Sequence, residues 1–343
     1  MEYVAVYVFN RRLRRERRYR DPLDPLHVSD EHLLRVYRFP RQEIIRLCDE
    51  LRPHLERRTR RAHALPTHTQ VLAALRFFAS GSFQTVIGDT VGMDQSSVSR
   101  AIDKVTQVLC VKASQEIKMP TTAIDINRAM QDFRRTGNFP RVIGAIDGAH
   151  IRIKAPEENE EIYVNRKQFH SLNIQAVGDT NNKIISYDAS YPGSTHDSFT
   201  WRHCALKQRF LAGHFGDALL IGDSGYPLEP FLMTPVVHPT TPGEERYNQS
   251  HRRTRCIVER TFGILKSRFR CLHESGGSLQ YDPEKTMKIA TSCMLLHNYC
   301  VDRRIPYVGD LVQEEEVPVQ PVRDNRQVPG QVVRQEIIRN FFS

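Results

Sequence analysis

Val142-Ile143-Gly144-Ala145-Ile146-Asp147 is the stretch on which the fold turns. Upstream of it, apolar residues recur every three or four positions. Here they run almost unbroken and stop at a carboxylate followed by Gly148. A short aliphatic run of this kind is the pattern of a strand covered on both faces. Further strands are predicted at 172–177 and 183–189, joined by the turn Asp179-Thr180-Asn181-Asn182. A fourth, at 218–223, repeats the form of the first: aliphatic residues, then Asp223. Helices are predicted at about 196–209, 248–268 and 283–300. Strands mixed with helices in this order give an α/β fold, a mixed sheet flanked by helices.

Working toward the N-terminus, the spacing from His68 to Lys112 is helical. Val71, Leu72, Leu75 and Phe78 form one apolar face, Gly81-Ser82 breaks it, and a short helix follows over 83–91. After Gly92-Met93-Asp94 a third helix begins near Gln95, with Val98, Ile102, Val105 and Leu109 as its buried stripe. Asp94 can accept the free amide hydrogens of its first turn. The outer face carries Gln95, Ser96, Ser99, Arg100 and Lys104. A helix, a glycine turn and a helix with a polar outer face make a helix-turn-helix pattern, and such side chains suit base edges and phosphates. An ordinary trihelical packing module shares the same apolar spacing. One more helix is predicted at 124–135.

Composition narrows the class. The 343 residues carry a net charge of +9 and are 40% hydrophobic, which gives a sizeable core and favours a polyanionic partner. No apolar run approaches the roughly 20 residues of a membrane span. At the N-terminus the basic run follows the apolar residues, the wrong order for a signal peptide. Seven scattered cysteines with no CxxC pair fit reduced thiols in the nucleus or cytosol. Residues 11–20 hold seven arginines in ten positions, and Arg57, Arg58, Arg60 and Arg61 form a second basic cluster. The run at 11–20 could lie on phosphate or direct nuclear import, and it could equally be a solvated helix face.

Four acidic positions stand out: Asp147, Asp197, Asp223 and Glu259. Carboxylates at the ends of sheet strands face the crevice in which α/β proteins bind ligands. Asp147 and Asp223 share that setting, although either alone reads equally as a turn former. Asp197 sits where a first-turn helix carboxylate would. Glu259 lies on the shoulder of the apolar stripe Val258, Phe262, Leu265 and Phe269, with Arg252, Arg255 and Lys266 at a similar angle. An exposed Arg255–Glu259 pair is the structural alternative. Carboxylates from separate elements suit Mg²⁺ or Mn²⁺, and two such ions roughly 3.5–4 Å apart catalyse phosphoryl transfer without a protein nucleophile. No phosphate-binding glycine loop and no GxSxG elbow is present.

Six ordered segments carry a resemblance: VIGAIDGAHIRIKAP (142–156), YPGSTHDSF (191–199), LIGDSGYPL (220–228), RYNQSH (246–251), VERTFGILKSRFRCL (258–272) and LLHNYC (295–300), joined by GSFQTVIGDTVGMDQSSVSRAI (81–102). Together they resemble the PIF/Harbinger-type DDE transposase family, which includes domesticated Harbinger transposase-derived nucleases. The resemblance implies a ribonuclease H-like core with an Asp-Asp-Glu triad that cuts DNA with divalent metal. It places the first aspartate at Asp147 and the glutamate at Glu259. Asp197 and Asp223 both lie in family-like motifs, and the strand count assigns Asp223 to the triad and Asp197 to an auxiliary metal ligand. The resemblance further implies a Myb-like accessory protein, a nuclear setting and, in a transposase, joining of the freed 3′ end.

The expected layout is a basic N-terminal arm with helices (1–66), a helix-turn-helix region (67–115), a helical connector (116–139), the nuclease domain (140–301) and a flexible C-terminal tail (302–343) with a short helix near 332–342. The expected function is a metal-dependent DNA endonuclease, working alone or as a homo-oligomer. Its rivals are a non-transposing host nuclease, a catalytically silent DNA-binding adaptor and, more remotely, a phosphohydrolase of small molecules.

Overall fold

The computed structural model describes residues 26–56, 65–307, 312 and 328–343. The arginine run 11–20 and the Arg57–Arg61 cluster lie outside the described residues.

Among the described residues, six helices precede the sheet: α1 (Asp30–Tyr37), α2 (Arg41–Leu55), α3 (Thr67–Ser80), α4 (Gln84–Val91), α5 (Gln95–Glu116) and α6 (Ala123–Gly137). Helices α3 and α4 each stop at a glycine, Gly81 and Gly92, in the left-handed conformation that glycine adopts without steric cost. Helix α5 starts where Asp94 accepts the Ser97 amide hydrogen at 2.9 Å. Its Val98, Ile102, Val105 and Leu109 are buried.

The sheet follows: β1 (Val142–Arg152), β2 (Ser171–Gly178), β3 (Ile184–Pro192), β4 (Leu219–Ile221) and β5 (Leu232–Met233), in the order β3-β2-β1-β4-β5. Strands β1, β2 and β3 are antiparallel; β4 runs parallel to β1, and β5 parallel to β4. A short helix α7 (Glu160–Tyr163) lies between β1 and β2. Between β3 and β4 stand α8 (Asp197–His203) and α9 (Ala205–Leu211), not one helix: Cys204 is extended and ends the first. Then come α10 (Pro242–Arg268), α11 (Pro283–Asp302) and α12 (Val328–Phe341). Helix α10 begins six residues before the predicted start. Thr241 and Glu244 form a reciprocal capping box there, with Pro242 at the first helical position.

One apolar cluster runs from Leu33 of α1 through the sheet to Phe342, so the helical region and the sheet share a core. A second, smaller cluster lies around Trp201, Phe210 and Tyr226. The C-terminal tail is not simply a flexible arm: Ile337, Ile338 and Phe342 are buried, and Phe342 packs on Phe139 and Tyr247. The first strand also corrects the sequence reading. It does not end at Asp147 but continues to Arg152 against β2. Gly148, His150 and Arg152 are half-buried while Ala149 and Ile151 are buried, an alternation that hid this half of the strand.

Candidate active site

The register of β1 and β4 explains how two aspartates meet. Ala145 of β1 is opposite Ile221 of β4, the last pair between these strands. Asp147 lies two residues past Ala145 and Asp223 two residues past Ile221. Parallel strands keep such positions level, so both carboxylates leave the sheet where β1 and β4 part. Asp197, the first residue of α8, comes in over Gly148. A β-carbon on Gly148 would stand 2.4 Å from the Asp197 Oδ1 and 3.1 Å from the Asn173 Oδ1. The Ile-Asp-Gly sequence therefore supplies one carboxylate and makes room for another.

All three aspartates are half-buried, sunk between elements yet reachable from solvent. The Asp147 carboxyl is held well above the usual carboxylate range, first by burial, then by the charges of Asp223 and Asp197. Arg255 and the Gly148 amide hydrogen, 3.0 Å from the Asp147 Oδ1, pull it back down. Asp197 is raised by burial and lowered by the Asn173 amide and the Arg166 charge. Asp223 accepts the Gly225 amide hydrogen at 2.9 Å.

Sequence reasoning missed Asn173 and Tyr226. Asn173 donates to the Thr195 carbonyl at 2.9 Å and to Asp197 at 3.3 Å. With the amide nitrogen so committed, its Oδ1 is buried with no hydrogen-bond partner among the described residues. Tyr226 donates to Gln175 at 3.3 Å. Burial and the three aspartates push its hydroxyl well up, so it stays protonated at neutral pH and is no nucleophile. The available signal was in β2, where Ser171, Asn173 and Gln175 share one face of the strand and all three are buried.

Glu259 lies on α10, a helix brought close to the sheet at Gly178, where a β-carbon would stand 3.0 Å from the Thr261 hydroxyl. Glu259 is half-buried and pairs with Arg255 at 2.5 Å, while Arg255 also acts on Asp147. One arginine thus links the aspartates to the glutamate. Nearby His251 is buried, and desolvation brings it down to about 4; as the neutral imidazole it meets the Met233 carbonyl at 3.2 Å.

The other basic candidates on α10 divide. Arg252 is exposed. Lys266 is buried, with its ammonium donating to the His150 carbonyl of β1 at 2.9 Å. It ties α10 to the sheet and is not a surface contact for DNA. On α5, Gln95, Ser96 and Arg100 are exposed, and Ser99 and Lys104 are half-buried. Arg100 donates to the hydroxyls of Ser96 and Ser97 at 3.2 and 3.3 Å.

The donor set fits a hard divalent cation: three carboxylates from three elements, with a buried carbonyl oxygen of Asn173 left without a donor beside one of them. Among the described residues, no three acidic, histidine or cysteine side chains close around one point. The aspartates are neighbours that repel one another, not a formed cage.

Residues 146–298 match a family described as DDE superfamily endonuclease. The chain is 40% identical over 321 residues to the human "Putative nuclease HARBI1", covering 92% of each chain. To its Xenopus laevis counterpart it is 37% identical over 322 residues, again covering 92% of each. It is 28% identical over 254 residues to the Arabidopsis thaliana "Protein ALP1-like", covering 69% of this chain and 61% of that one. No solved structure matches it. With that likeness running through nearly its whole length, the chain belongs to the PIF/Harbinger-type DDE family that includes the Harbinger transposase-derived nucleases.

Proposed function

We propose that the protein is a divalent-metal-dependent endonuclease that cuts DNA at the crevice between β1 and β4. The observation that carries this reading is that the charges of Asp197 and Asp223 both bear on the carboxyl of Asp147. Burial raises the carboxyls of Asp147 and Asp197 and neighbouring like charge raises Asp147 further, an arrangement that works against folding stability and is common at functional sites. The sheet order, with three antiparallel strands followed by two parallel ones, supports a ribonuclease H-like core. The helices α3, α4 and α5, with Gln95, Ser96, Ser99, Arg100 and Lys104 outward, support a helix-turn-helix that holds DNA.

Asp147, Asp223 and Glu259 are the proposed triad, with Asp197 an auxiliary metal ligand and Asn173 beside it. A bound Mg²⁺ or Mn²⁺ supplies Lewis acidity to the phosphodiester. The chain's own groups orient the site. The Gly148 and Gly225 amide hydrogens fix the carboxylates, and the Asn173 amide fixes Asp197. Arg255 pairs with Glu259 and also acts on Asp147, and so couples the glutamate to the aspartates. Arg252 and Arg255 provide positive charge for the DNA backbone. We extend the proposal to a nuclear site of action and to recruitment by a Myb-like DNA-binding partner, with self-association a further option. No helix of the described residues is long and apolar enough to cross a membrane.

One observation favours a second reading, a catalytically silent DNA-binding adaptor: Glu259 is already engaged by Arg255, as in a purely structural pair. Incubation of the protein with supercoiled plasmid and Mg²⁺ or Mn²⁺ separates the two. Nicking or linearisation that falls by at least about 100-fold in Asp147→Asn is expected of the nuclease. Retention of DNA without cleavage by the wild type would establish the adaptor.

A further inference from the structure

A second feature lies away from the aspartates. An open pocket of about 620 Å³ is walled by Arg134 and Arg135 of α6, Arg141 just before β1, and Phe341 of α12, with Met130 and Pro140 between them. Its walls hold three guanidinium groups; outside the lining, Arg135 pairs with Asp132 at 3.1 Å and Arg141 with Asp217 at 3.2 Å, which leaves Arg134 facing Phe341. Arg141 takes a left-handed backbone conformation, φ +63°, which is uncommon for a residue with a side chain. Its carbonyl accepts the Leu219 amide hydrogen at 2.8 Å, and its guanidinium donates to the Asp217 carbonyl at 2.9 Å. The strained turn thus fixes this arginine at the mouth of the sheet.

Phe341 stands out against the helix that carries it. Helix α12 buries Ile337 and Ile338, and Phe342 after it is buried too, but Phe341 remains 45% exposed. The Arg134 guanidinium stands 5.3 Å from its ring centroid. A phenyl ring and a guanidinium plane are the two surfaces on which unpaired bases stack, and flanking arginines follow a phosphate backbone. Duplex DNA offers no base face to such a ring, because its bases are already stacked on one another.

We infer that this pocket binds a single-stranded segment of polynucleotide, with a base on Phe341 and the adjoining phosphates on Arg134, Arg135 and Arg141. The inference rests on DNA as the substrate and adds a second contact, one that would hold a strand once it has been freed from its complement.

Fluorescence anisotropy with labelled dT20 and with a 20-base-pair duplex tests it on the full chain. Arg135 has a 73% exposed side chain and Phe341 is at the surface, so Arg135→Glu and Phe341→Ala should leave the fold intact, as thermal unfolding will show. Each is expected to weaken dT20 binding by about fivefold or more. Phe341→Ala should change duplex binding by less than about twofold. Unchanged dT20 affinity in both variants overturns the inference, as does an equal loss on duplex. Plasmid cleavage by the wild type, measured in parallel, keeps its failure distinct: a protein that cuts DNA while both variants bind dT20 normally has lost only this pocket.

Discussion

The outer face of α5 and the crevice between β1 and β4 both display polar side chains, but they hold them on different terms. On α5 the side-chain hydrogen bonds run to neighbours close by in the chain. Asp94 caps the helix, and Arg100 reaches the hydroxyls of Ser96 and Ser97 within one turn. Such groups are consistent with function but do not require it. In the crevice, Asp147, Asp197 and Asp223 arrive from three elements; burial raises Asp147 and Asp197, and the charges of Asp223 and Asp197 push Asp147 up further. Contacts that work against stability point to function more strongly than contacts that serve it.

The largest effect expected in the crevice is on cleavage. Asp223→Asn should remove it by about 1,000-fold or more, whereas Asp197→Asn, at an auxiliary ligand that water can replace, should leave measurable activity. Single-turnover assays on plasmid give the ranking, and the reverse order would make Asp197 the central aspartate. In the helical region the large effect is on folding. Val105 is buried, and Val105→Asp places an unpaired charge in the shared core at a cost of about 3–5 kcal/mol, read by denaturant unfolding. Arg100→Ala at the exposed face of the same helix should cost under about 0.5 kcal/mol while weakening duplex binding several-fold, with a steep salt dependence. Normal binding by that variant would reduce α5 to packing.

Much of this was legible from pattern. The positions of β1 and β4 and the carboxylates at Asp147 and Asp223 follow from aliphatic runs that stop at an acid, β2 and β3 from strand-like runs joined by a turn, and the helices from apolar residues spaced at three and four. What escaped depends on approach between distant segments. Nothing local marks Asn173 as the neighbour of Asp197, or Gly148 as the gap through which they meet. Lys266 shares an angular position with Arg252, yet α10 runs progressively deeper into the core, so the first residue is buried and the second exposed. Two-residue β5 is too short for any periodicity, and its register comes entirely from β4. The docking of α12 depends on three apolar residues in a polar tail, too few to outweigh the composition around them.

The pH dependence has a defined sign. The Asp147 pKa is raised above its unfolded value, so the stability linked to its proton is fully present below the unfolded pKa and is lost as pH rises through the folded one. Asp147→Asn, which is uncharged at any pH, should therefore melt higher than the wild type at pH 8 without metal, and the advantage should shrink toward pH 4.

A divalent cation should relieve the same strain, and thermal unfolding at pH 8 with and without Mn²⁺ measures that relief directly. Binding at about 100-fold over the dissociation constant stabilises a protein by roughly 2.7 kcal/mol. The wild type is expected to melt several degrees higher with Mn²⁺, and Asp147→Asn and Asp223→Asn to lose that increment. Equal metal-induced shifts in the wild type and both variants would contradict a shared metal site at the three aspartates.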